Sequence, residues 1–117
     1  MSTDPTFAEN PTMDREQRRQ LIERDSLAEC DRQDLKWGTD RDIPNGTGGS
    51  YAHTLANESR DACQWAFAKG EGTWKHIFRE EVFEAFAEDD PAKLRIELIQ
   101  CRAVLTQWID NIDRAKS

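Results

Sequence analysis

Residues 73–112 read TWKHIFREEVFEAFAEDDPAKLRIELIQCRAVLTQWIDNI, and they decide the fold class. Asp90-Pro91 divides the stretch: aspartate is a favoured helix N-cap, and proline suits the first helical position, where its missing N–H is not needed. Downstream, Leu94, Leu98, Cys101, Leu105, Trp108 and Ile112 recur at spacings of three and four. At about 100° per residue they form one stripe along a helix running from Pro91 to about Arg114. Upstream, Thr73 caps a second helix over 74–88, with an apolar arc through Trp74, Ile77, Phe78, Val82, Ala85 and Phe86.

Moving towards the N-terminus, Ser50 and Gly70 bracket a helix over 51–69, as cap and stop. Before it, residues 38–50 (GTDRDIPNGTGGS) hold four glycines and one proline. This is a long loop for a small domain, which suggests a use beyond connection. Ser26-Leu27-Ala28-Glu29 fits a capping box and predicts a helix over 27–37 ending at Gly38. Residues 13–25 are dense in charge, with only Leu21 and Ile22 to bury, and read as a frayed helix. Residues 1–12, with two prolines and almost no apolar periodicity, read as a flexible tail. No stretch alternates with period two, and no internal repeat is present. The expected architecture is all-α with four helices: a flexible or partly helical extension over 1–25, then an all-α domain over 26–117.

The whole chain has 117 residues, of which 37% are hydrophobic and 33% charged. That is enough for one domain but leaves a lone protomer with a thin core. Ile96, Ile99 and Ala103 make a second apolar face on the last helix, opposite its main stripe. A helix apolar on both sides is buried on both sides, which predicts a dimer or tetramer. The net charge of −7 disfavours a groove that tracks a nucleic-acid backbone. No apolar run is long enough to span a membrane, and no signal peptide is evident. Cys30, Cys63 and Cys101 are odd in number and widely spaced. They suit neither a disulfide framework nor a zinc site, and point to a reducing, cytoplasmic setting.

The acids break the apolar pattern. Glu97 falls inside the stripe of the last helix, between the directions of Val104 and Trp108, and Gln100 lies about 60° from it. In the preceding helix Glu81 points into the apolar arc, with Glu84 and Glu88 on its border. A two-residue turn at Asp89-Asp90 joins these helices, so antiparallel packing brings the acids together. Converging carboxylates in a core either protonate or bind cations. Crowded hard oxygen donors suit Mg²⁺ or Mn²⁺. Zinc is disfavoured, because His53 and His76 are the only histidines and lack ligand spacing. The competing reading is plain: glutamate is a strong helix former, and acidic helix faces are usually solvated. The interruption of two apolar stripes by Glu81 and Glu97 favours a site over a solvated face.

Glu80-Glu81-Val82-Phe83-Glu84, twelve residues, then Glu97-Leu98-Ile99-Gln100 resembles the EExxE…ExxD signature of MazG-like all-α nucleoside triphosphate pyrophosphohydrolases. Arg32-Gln33-Asp34-Leu35-Lys36-Trp37-Gly38 is similar to the RQ-x-x-KWG segment of a short bacterial and phage branch of that family. So are the Pro44–Gly49 loop, Thr73-Trp74 and Leu94-Arg95, and the likeness covers roughly residues 27–113. The chain departs from the pattern at Gln100, a neutral amide where the signature closes with Asp.

The resemblance implies a MazG-like four-helix bundle, packed in a homo-oligomer. It implies Mg²⁺-dependent hydrolysis of a nucleoside or deoxynucleoside triphosphate to monophosphate and pyrophosphate, with Mn²⁺ as a second option. Glu81, Glu84 and Glu97 are the implied metal ligands, with Gln100 a weak or outer one. Glu80 or Glu84 is the implied catalytic residue that orients or deprotonates the attacking water. Lys36, Arg60, Lys75 and Arg79 are candidate phosphate partners, and Trp37 is a candidate to stack on the base. Two other classes stay open: a catalytically silent nucleotide-binding or regulatory module, which Gln100 suggests, and a structural helical oligomer. Neither nucleic acid nor membrane is an expected partner.

Overall fold

Asp14 starts the first helix of the described residues. Its carboxylate accepts from the Gln17 N–H at 2.8 Å, and the Gln17 side chain accepts from the Asp14 N–H at 2.9 Å, a reciprocal capping box. The computed structural model describes residues 13–116; the tail read over 1–12 lies outside them. Helix α1 runs Arg15–Trp37, so the expected break at Ser26 is corrected. Ser26 lies inside the helix and its hydroxyl donates to the Ile22 carbonyl at 2.8 Å. Glu, Gln, Arg and Leu dominate the first turns and all favour helix, while a mid-helix serine finds its partner one turn back. Gly38 ends α1 at φ 90°, its N–H donating to the Asp34 carbonyl at 2.8 Å.

Three further helices follow: α2 (Ser50–Ala68), α3 (Trp74–Ala87) and α4 (Pro91–Lys116). Ser50 is the first residue of α2 rather than its cap, a role taken by Gly49. The end of α2 is a Schellman turn: the Glu71 N–H donates to the Ala66 carbonyl and the Gly70 N–H to the Phe67 carbonyl. Gly70 sits there at φ 75°, a region that resists side chains. Thr73 caps α3, its hydroxyl accepting from the His76 N–H at 3.2 Å. Asp90 caps α4 through the Lys93 N–H at 3.0 Å. Among the described residues the chain is all-α, with no strand, and no helix is long and apolar enough to cross a membrane.

The chain divides into two compact units, one from the described residues of Met1–Ile43 and Thr106–Ser117, the other from Pro44–Leu105. In the first, Arg18 Nε donates to Asp110 Oδ1 at 2.5 Å, and Arg114 Nε lies 3.5 Å from Asp110 Oδ2. Asp110 is buried, so the paired guanidinium offsets its desolvation. In the second unit α2 packs against α3. Ala56, Ser59, Cys63 and Ala66, all buried and small, recur along α2 at helical spacing. Ala85 of α3 and Leu94 and Cys101 of α4 form the core beneath Phe78 and Val82. The core is thin, as the composition predicts: Ile96 and Ile99 of α4 remain 56% and 48% exposed.

Candidate metal centre

Two helices supply the acids. Glu81 and Glu84 are three apart on α3 and therefore share a face. Glu97 sits early in α4, which the short Glu88–Asp90 connection returns against α3 around Ala85 and Leu94. One carboxylate oxygen from each of Glu81, Glu84 and Glu97 lies within 4.8 Å of the others. All three residues are half-buried. Glu81 Oε2 and Glu97 Oε2 are closed off from solvent and accept no hydrogen bond among the described residues. Each carries a desolvation cost that no protein donor among the described residues offsets.

The electrostatics record the same conflict. Burial raises the Glu81 carboxyl above its ordinary range, and Glu84, Glu80 and Glu97 push it further. Burial and then Glu80 raise Glu84, with the Arg60 guanidinium pulling the other way. Burial, Glu84 and Glu88 raise Glu97. The effect reaches the adjacent thiols: burial raises Cys101, reinforced by Glu81 and Glu97, and burial raises Cys63, reinforced by Glu80 and Glu81. A divalent cation among the three acids would remove these repulsions and give the orphaned oxygens a partner. The donor set is all carboxylate oxygen, which could hold a hard divalent cation.

Glu84 and Glu97 also line an open cleft of about 310 Å³. The α2 side of the cleft presents His53, Asn57 and Arg60, over a floor that includes Ala56 and Ala87. Glu88 and Asp89 complete its acidic wall. Arg60 is held in place by its own helix, its Nη2 donating to Asn57 Oδ1 at 2.7 Å. The cleft therefore sets one guanidinium opposite several carboxylates, an arrangement able to take an anion together with its cations.

Of the residues singled out in the sequence, Glu81, Glu84, Glu97 and Arg60 come together here. Glu80 is half-buried and acts on Glu81 and Glu84 through its charge, but lies outside the three-acid group. Gln100 is exposed and does not line the cleft. Lys75 is exposed, and Arg79 places its guanidinium 5.7 Å above the Phe83 ring. Lys36 and Trp37 belong to the other unit, both exposed, with Lys36 Nζ 4.9 Å above the Trp37 ring. His53, Asn57 and Asp89 were not singled out for the site. His53, Asn57 and Arg60 recur at i, i+4 and i+7, a spacing that places them on one face of α2. No protein-family model, curated protein or solved structure matches the chain.

Proposed function

We propose that this chain is a MazG-like nucleotide pyrophosphohydrolase, splitting a nucleoside or deoxynucleoside triphosphate into monophosphate and pyrophosphate. The observation that carries the reading is the pair of closed, unpartnered carboxylate oxygens of Glu81 and Glu97, converging with Glu84. Glu81, Glu84 and Glu97 would hold Mg²⁺ or Mn²⁺. A bound divalent ion supplies charge neutralisation on phosphate oxygens and eases deprotonation of water. Arg60 contributes a fixed positive charge to the phosphates from the opposite wall of the cleft. Glu80 lies beside the trio without joining it, which suits a group that orients water or takes its proton.

The further elements of the proposal rest on separate observations. The exposed Ile96 and Ile99 support a homo-oligomer, a dimer or tetramer, in which α4 is covered on its second side. Three free cysteines are consistent with a cytoplasmic protein. The departure at Gln100 supports a second reading, a nucleotide-binding module without turnover.

One experiment separates them. The chain is incubated with each common NTP and dNTP in Mg²⁺ or Mn²⁺, and monophosphate and pyrophosphate are followed. Equimolar release of the two is expected for at least one nucleotide. No turnover of any nucleotide overturns the enzyme reading, and metal-dependent binding without turnover replaces it with the silent module.

A further inference from the structure

The glycine-rich loop before α2 is fastened to the far end of α3. Thr47 Oγ1 donates to the Glu88 carbonyl at 2.6 Å, and the Gly48 N–H donates to the Phe86 carbonyl at 2.7 Å. Both bonds satisfy carbonyls that a helix end leaves open. Gly48 sits at φ 100°, and a Cβ built on it would overlap the Asp89 carboxylate. The bare Cα is thus the seat of the Asp89 side chain. Glu88 is fixed from the other direction, its Oε2 accepting from the Asp90 N–H at 3.1 Å. Asp89 lines the same cleft as Glu84 and Glu97.

We infer that residues 44–49 form a strap that sets Asp89 as the outer carboxylate of the cleft, and that Gly48 is the positioning residue of this device. Mg²⁺ and Mn²⁺ keep several waters when protein-bound, and those waters need acceptors beyond the direct ligands. Asp89, exposed at the rim of the cleft, would be such an acceptor, and the close approach of its carboxylate to the bare Cα of Gly48 sets where it sits. This role rests on the metal centre proposed above.

A double-mutant cycle on the full chain tests it, with Mn²⁺ affinity read by the electron paramagnetic resonance of free Mn²⁺. Asp89→Ala and Gly48→Ala should each weaken Mn²⁺ binding about tenfold, the scale of outer-shell losses. The double variant should bind no more weakly than Asp89→Ala alone, because the methyl added at position 48 then has no carboxylate to displace. Backbone strain at residue 48 is present in both backgrounds and cancels in this comparison. Thr47→Val, which removes one strap bond without straining the backbone, gives the same cycle if Gly48→Ala does not fold. Strap variants that bind Mn²⁺ as the unaltered chain does, losses that multiply in the double variant, or an Asp89→Ala protein of full affinity overturn the strap while leaving the metal centre intact. An unaltered chain that binds no Mn²⁺ overturns both.

Discussion

Glu81 and Glu97, on successive helices, each bury one carboxylate oxygen that finds no hydrogen-bond donor among the described residues. Protein interiors rarely leave such atoms unpartnered, and two carboxylates that share the fault beside a third acid have a common remedy. A cation between them would convert three unfavourable burials into one favourable site.

Neutralising either acid should separate function from folding. Glu81→Gln and Glu97→Gln keep the side-chain shape but remove a charge from the cluster. Nucleotide turnover should fall at least about 100-fold in each, as loss of one stabilising group usually does. The metal-free variants should melt a few degrees higher than the parent, because about 1 kcal/mol of relieved repulsion shifts a domain of this size by ~4 °C. Turnover assays and thermal melts on the same samples check both. Full activity in both variants would make the acids structural.

Stability should depend on pH in a metal-dependent way. Burial first, and the neighbouring carboxylates next, raise Glu81, Glu84 and Glu97 above their ordinary value. A carboxyl raised on folding holds its proton better in the folded chain than in the unfolded one. Its contribution to stability is complete below the unfolded value of about 4.5 and is lost as pH rises through the raised value. In chelator, melting temperature should therefore carry a downward component from this trio as pH climbs from about 5 towards neutrality. Saturating Mg²⁺ should remove that component, so the two curves diverge with rising pH. Parallel curves would contradict it.

Mg²⁺ alone should stabilise the folded chain. Ligand present at 100 times its dissociation constant adds about 2.7 kcal/mol when it binds only the native state. The gain should vanish in Glu81→Gln/Glu97→Gln, measured by denaturant titration with and without Mg²⁺. A gain that survives both substitutions would place the cation elsewhere.

The other unit offers an independent test of packing. Arg18→Ala removes the guanidinium bonded to the buried Asp110 and leaves it the longer Arg114 contact at 3.5 Å. Loss of one partner of a buried charge pair should cost about 2–4 kcal/mol, and Asp110→Asn in the same background should recover part of it. Urea unfolding of the single and double variants measures the coupling.

The Glu81–Glu97 convergence was legible because both residues interrupt apolar stripes, and burial of a stripe fixes where its interruptions point. Thr73, Asp90-Pro91 and Gly70 were equally readable, since cap chemistry is local. Ser26 misled for a physical reason: a serine three residues before glutamate serves as a cap or bonds back one turn, and only the helical preference of residues 15–25 decides between them. Asp89 gave no signal at all. Its place depends on Gly48, about forty residues away in sequence, and such a contact has no local pattern.

Hydrolysis of the preferred nucleotide in ¹⁸O-water, with products resolved by ³¹P resonance, tests the central claim most directly. The account predicts that Mg²⁺-dependent turnover places the label in the monophosphate, as attack on the α-phosphorus requires. Label in pyrophosphate or in free phosphate, or turnover that persists in chelator, would contradict it.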